Sequence, residues 1–239
     1  MNSENRTRGR DRDLRILILD YSVDRSETDL FSQWFPREAY WTSAFVHFGD
    51  PIPPPVGFTH VMHTGSSLSI RHDPDFMEGA QTFVRECCEL GIPQMGVCYG
   101  HQLLCRSLLG REAVELCGNG LEIGWRQVRA VGPGLEVKGF PSEGRVLQSH
   151  FDRVVRIPNG AELIATGDHT EVQGFIDAKN RLMGTQFHPE FTREQGNALF
   201  RKSEELLAQN GFHLPEVTSE GPSFSAGDVF FGHFLSREW

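Results

Sequence analysis

No uninterrupted apolar run in this 239-residue sequence approaches the ~20 residues a helix needs to cross a bilayer. The opening stretch, MNSENRTRGRDRD (1–13), lacks the apolar core of a secretory signal and reads as a disordered leader. Positive charge is short as well: 23 Lys and Arg stand against 32 Asp and Glu, a formal net charge of −9. Nucleic acid and anionic membrane surfaces repel such a protein overall, so neither is expected as a main partner.

Cysteine is sparse, five residues and therefore an odd number. No C-x-x-C pair occurs, and Cys87 and Cys88 are adjacent, so neither a disulfide scaffold nor a zinc site is expected. The expectation is a cytoplasmic protein without metal or cofactor. Internal repeats and low-complexity tracts are also missing. With 38% hydrophobic and 23% charged residues the chain has enough apolar material for a sizeable core, and one domain over 14–239 is the simplest organisation.

What is present has a clear order. LRILILD (14–20) is a continuous apolar run, as a strand buried on both faces requires. ETDLFSQWF (27–35) has the spacing of a short helix, DPIPPPVG (50–57) is a proline loop, and FTHVMHTG (58–65) is a second strand. The segment 73–91 reads as a helix capped by Asp73, with Pro74 in its first turn and Gly91 at its end. IPQMGVC (92–98) is a third strand and HQLLCRSLLG (101–110) another helix. This alternation predicts an α/β fold, doubly wound and flavodoxin-like, with a mostly parallel central sheet and helices on both faces. Strands at 121–131, 145–149, 161–166, 172–177 and 182–187 add a small antiparallel part. Helices are predicted over 193–209 and 225–238.

The third strand ends on GVCYG (96–100), a nucleophile between glycines where strand meets helix. Glycines let the backbone fold sharply there and let a substrate approach. A helix N-terminus favours an anionic sulfur placed on it, and its free N–H groups, here that of Tyr99, can serve an oxyanion. A cysteine nucleophile needs a base. GTQFHPEF (184–191) offers His188 at a strand end, with Glu190 two residues on to fix the ring's tautomer. Cys87, Cys88, Cys105 and Cys117 read as small packing residues. Trp34, Trp41, Phe230 and Phe231 read as core or interface. His60, His63 and His72 fit no metal spacing, and the charges at 201–205 read as a solvated helix face.

GVCYGHQLL together with QFHPE resembles the class I glutamine amidotransferases, over roughly residues 14–200. LEIGWRQV (121–128) and the Ser-His-x-Asp pattern at Ser149, His150 and Asp152 are similar to the branch containing the glutaminase domain of GMP synthase. The resemblance implies a Cys-His-Glu triad of Cys98, His188 and Glu190. It implies an oxyanion hole from the N–H groups of Ser66 and Tyr99, and substrate contacts at Gly65, Gln102, Ser149 and His150. The turn HTGSS (63–67) departs from the family pattern by lacking proline and by carrying Ser66 where a second glycine is usual. No synthetase signature accompanies these motifs.

Three functions are compatible with this reading. One is a glutaminase that hydrolyses the γ-amide of glutamine and supplies ammonia to a separate synthetase. Another is a stand-alone hydrolase or peptidase of γ-glutamyl peptides or conjugates. A third is a catalytically silent binding module on the same fold. The first is the leading expectation.

Overall fold

The computed structural model describes residues 14–237 and 239, so the leader expected over 1–13 lies outside the described residues, as does Glu238. Strand β1 (Arg15–Asp20) is followed by helix α1 (Glu27–Ser32), β2 (Tyr40–Phe45) and β3 (His60–His63). Helix α2 (Met77–Leu90), β4 (Gln94–Val97) and α3 (Tyr99–Leu109) come next. The strands β5 (Val114–Leu116), β6 (Glu122–Ala130), β7 (Glu143–His150), β8 (Asp152–Val154), β9 (Glu162–Thr166), β10 (Gly174–Asp177) and β11 (Leu182–Thr185) follow. The chain then forms α4 (Arg193–Lys202), α5 (Glu204–Gln209), α6 (Leu214–Thr218) and α7 (Ala226–Ser236).

Among the described residues, nine strands make one sheet in the order β2-β1-β3-β4-β11-β10-β9-β6-β7, while β5 and β8 pair separately and antiparallel. From β2 to β11 neighbours run parallel; from β11 to β7 they run antiparallel. The fold class is thus α/β with the expected parallel centre. The antiparallel strands continue that same sheet, and only the β5–β8 ladder stands apart. The antiparallel half curls back on itself. Leu147 of β7 bridges to His188, just beyond β11, and His188 N–H donates to Leu147 O at 2.9 Å.

Strand periodicity divides the core into two layers. Ile16 and Ile18 of β1 face one way, against Phe31 of α1 and Phe230, Phe231 and Phe234 of α7. Leu17 and Leu19 face the other, against Ala80 and Phe83 of α2 and Leu103 and Leu104 of α3. A third cluster packs Trp125 and Leu147 against Phe200 of α4 and Leu207 of α5. β1 is therefore covered on both sides, which is why its sequence is continuously apolar until its last residue, Asp20.

Several boundaries differ from expectation for local reasons. Asp73 does not cap α2, whose N-cap is Phe76; its carboxylate instead bonds Arg106 and pairs with Arg111 at 2.6 Å. Gly91 does end α2, with φ of 66°. The single helix expected over 193–209 breaks at Ser203 into α4 and α5. β2 was not foreseen: it is an edge strand whose YWTSAF sequence is largely exposed or half-buried and carries no clean alternation. Among the described residues no helix is long and apolar enough to cross a membrane.

Candidate active site

The site lies at the carboxyl ends of the parallel strands, where open α/β sheets place ligands. β4 delivers Cys98, which forms the N-cap of α3 with φ 50° and ψ −102°. Few side-chain-bearing residues adopt such a backbone, and holding one there costs about 1–3 kcal/mol. The surroundings impose it. Cys98 N–H donates to Thr185 O at 2.8 Å, and Gly100 N–H donates to Thr64 O at 3.0 Å. The turn is so tight that a Cβ on Gly96 would sit 2.4 Å from the Gly100 carbonyl carbon, and one on Gly100 would sit 2.2 Å from His63 O. Both glycines of the motif are therefore demanded by close approach.

His188 follows β11, the neighbour of β4, and this adjacency brings residues ninety positions apart together. Its Nδ1 lies 2.5 Å from Glu190 Oε1. Its Nε2 is buried without a hydrogen-bond partner of its own. Burial works against a charged ring here, but the Glu190 carboxylate and the Cys98 sulfur outweigh it. They raise the imidazole pKa well above its ordinary value. Glu190 is fully buried, and its backbone carbonyl accepts from Trp34 Nε1 and Gln33 Nε2, both at 2.9 Å. Those two residues directly follow α1, and their contacts were not legible in sequence because they are long-range.

A cavity of about 140 Å³ opens beside the sulfur, lined among others by Ser66, Gln102, Leu121, Ser149 and Leu206. It is well below the few hundred Å³ typical of drug-sized ligands, and suits something the size of an amino acid. Leu206 comes from α5, a contributor the sequence did not signal. Larger hollows lie along 46–55 and the start of α2, away from Cys98.

The other anticipated residues separate into groups. Ser66 lines the cavity with Cys98, and neither it nor Gly65 has a positive φ; the missing second glycine therefore introduces no strain. Tyr99 is the first residue of α3, so its N–H has no acceptor within the helix. Gly65 is placed against His188, since a Cβ there would lie 3.0 Å from His188 Cε1. Gln102 lines the cavity while its amide nitrogen donates to Asp152 O at 2.8 Å and Gln186 Oε1 at 3.1 Å. Ser149 O lies 4.0 Å from Cys98 Sγ. His150 borders the cavity, but its ring is taken up by Asp152 O and by Glu122 Oε2, each at 3.0 Å. His63 stands outside the site, fully buried between Tyr21 and Gln94, and burial lowers its pKa to about 4. Desolvation raises the thiol pKa of Cys87 and Cys105, and that of Cys88 to about 11, as expected of packing residues.

Comparison with known proteins bears on this arrangement. The family description "Glutamine amidotransferase class-I" matches residues 69–205, more than half of the chain. The chain belongs to the class I glutamine amidotransferases. Within that family it is 42% identical over 127 residues to a protein of Staphylococcus epidermidis named GMP synthase [glutamine-hydrolyzing]. It is 41% identical over 125 residues to the protein of the same name from Staphylococcus aureus. Each match covers about half of this chain, 53% and 52%, and 24% of the relative; the chain spans about a quarter of the relatives' length. Among solved structures, a glutamine amidotransferase from Thermotoga maritima superimposes with a TM-score of 0.74, at 22% identity, over 87% of this chain and 90% of that one. One from Methylobacillus flagellatus gives 0.70 at 21% identity, over 82% and 77%. At such identities the agreement establishes the shared fold.

Proposed function

We propose that this amidotransferase chain hydrolyses the γ-amide of glutamine through Cys98, His188 and Glu190 and supplies the ammonia to a separate synthetase. The observation that carries the reading is the buried line of groups at the turn. A sulfur sits on a forced bend, an imidazole with an unpartnered Nε2 lies by it, and a carboxylate lies 2.5 Å from the ring's other nitrogen. The names of the staphylococcal relatives support glutamine as the substrate and a synthetase as the destination of the nitrogen.

In this mechanism Cys98 Sγ passes its proton to His188 Nε2 and attacks the γ-carbonyl carbon. The oxyanion that forms is met by the N–H groups of Ser66 and Tyr99, each such donor contributing about 3 kcal/mol to lowering the barrier. His188 returns the proton to the departing amine, so ammonia leaves and a thioester remains. Water then gives a proton to His188, attacks the thioester carbon, and glutamate departs as the thiol is restored. The raised affinity of the imidazole for a proton suits the protonation of a poor leaving group. Gln102 and Ser149 line the pocket that would take the glutamyl part.

The test is glutamate release by the purified chain from glutamine and from a panel of γ-glutamyl conjugates, with Cys98→Ala as control. Loss of all release in that variant is expected; undiminished turnover would refute the assignment. Activity on glutamine that rises when a synthetase is added supports the transfer role. Strong partner-free turnover of conjugates alone would replace it with a γ-glutamyl hydrolase.

A further inference from the structure

A histidine stands immediately before the Thr-Gly-Ser turn, behind the site. His63 ends β3 and is fully buried. In the sheet it pairs with Leu19 of β1 on one side and with Gly96 of β4 on the other, close to the bend that carries Cys98. Its ring bonds one side chain from each neighbouring segment. Nδ1 lies 3.0 Å from the Tyr21 hydroxyl, just past β1, and Nε2 lies 3.0 Å from Gln94 Oε1, at the start of β4. Gln94 Nε2 donates in turn to Val84 O of α2 at 3.1 Å.

That last bond sets the direction of the others. It leaves the amide oxygen of Gln94 for the ring, and an amide oxygen only accepts, so His63 Nε2 carries the proton. The remaining ring neighbour, Phe83 of α2, brings no charge. Burial holds the imidazole pKa down to about 4, so Nδ1 is a bare acceptor and the Tyr21 hydroxyl donates to it. A single tautomer satisfies all three side chains.

This anchor reaches the site by two routes. Thr64, the next residue, donates its N–H to Leu19 O at 3.1 Å. Its hydroxyl accepts from Tyr21 N–H at 2.9 Å and donates to Gly65 O at 3.0 Å. Its carbonyl accepts Gly100 N–H at 3.0 Å, from the first turn of α3. The Tyr21 ring meanwhile lies nearly parallel to that of His63 and 5.4 Å from that of Tyr99. The approach to Ser66 and the start of α3 thus share one support.

We propose that His63 is a positioning residue: its neutral Nε2–H imidazole braces Tyr21 against Gln94 and so holds the Ser66 and Tyr99 N–H groups where the oxyanion forms. This rests on the Cys98-His188-Glu190 reading above.

The test has two arms on the full chain. NMR of protein labelled with ¹⁵N at histidine reads the ring without turnover. One imidazole with a protonated Nε2 and a bare Nδ1, unchanged between about pH 5 and pH 8, is expected in the wild type and in Cys98→Ala, and is absent from His63→Phe. In the kinetic arm, Tyr21→Phe removes the hydroxyl and keeps the ring. It should lower kcat for glutamine about three- to tenfold, the scale of one lost hydrogen bond, with KM unchanged. Tyr40→Phe, on the exposed edge strand, is the control and should change neither. His63→Phe should lower kcat further, and the double variant with Tyr21→Phe should be no slower than His63→Phe alone, because both act through one bond. An Nδ1–H tautomer, a ring that titrates in that range, or a folded Tyr21→Phe with wild-type kcat overturns the proposal. Should His63→Phe fail to fold, Tyr21→Phe and the wild-type spectrum still decide it. If Cys98→Ala retains turnover, the triad reading fails while the spectrum still reports the state of His63.

Discussion

Glu190 Oε1 and His188 Nδ1 are 2.5 Å apart in a buried contact, and in the proposed mechanism the carboxylate keeps the imidazole able to accept a proton from the sulfur. Glu190→Gln removes the charge and keeps the shape. We expect kcat for glutamine hydrolysis to fall about 10²- to 10⁴-fold, by analogy with loss of the acid in other triads, with KM little changed. Steady-state glutamate release over a glutamine series measures both. A Gln variant with wild-type kcat would remove Glu190 from the mechanism.

Trp34 reaches the same residue from behind. Its Nε1 donates to the Glu190 carbonyl at 2.9 Å, and its ring packs so closely on α7 that a Cβ on Gly227 would lie 2.2 Å from it. Trp34→Phe keeps most of the packing and removes the donor. The expected loss of stability is about 1 kcal/mol, accompanied by a fall in kcat rather than a rise in KM. Denaturant midpoints and kinetics on the same preparation test the pairing of effects.

The turn before α3 has no room for a methyl group. Gly100→Ala would force a Cβ to 2.2 Å from His63 O, a backbone atom that cannot rotate away. We expect destabilisation of about 3 kcal/mol, at the upper end of ordinary overpacking, or failure to accumulate as folded protein. Gly118→Ala meets no atom within 4 Å and serves as the control that should leave the melting temperature nearly unchanged.

Stability should depend on pH through Glu27. Its pKa rises on folding from the ordinary 4.5 to about 8, chiefly by burial. Below pH 4.5 both folded and unfolded chains hold the proton. Between the two values only the folded chain does, so unfolding releases a proton and this group's contribution falls as pH rises, levelling off above about pH 8. Glu27→Gln removes that slope. Its melting temperature, relative to wild type, should improve between pH 5 and pH 8; an unchanged difference across that range would show that Glu27 is ionised throughout.

The elements read most clearly in sequence are those whose environment is set locally. β1, β3, β4 and β11 are buried along their length, and β1 in particular reads as an apolar run. The GVCYG turn and the His-x-Glu segment are each legible within a few residues. Features decided by distant partners were not legible. Asp73 looks like a cap until Arg106 and Arg111 are brought to it. Glu27 looks like an ordinary first-turn acid, favourable near any helix N-terminus, until the fold buries it with Oε2 unpartnered. The return of β7 to His188 joins the two halves of the sheet through one bridge that no periodicity announces. β2 failed for a different reason: an exposed edge leaves little apolar imprint.

The backbone at Cys98, with φ of 50°, carries a final consequence. Were folding the only demand on this position, glycine would be the comfortable occupant. Cys98→Gly should therefore melt no lower than Cys98→Ala, because alanine retains the strained conformation and glycine does not. A side chain kept where the polypeptide would rather have none is a reservoir of tension beneath the proposed nucleophile. Silencing the chemistry and relaxing the scaffold become, at this one residue, the same substitution.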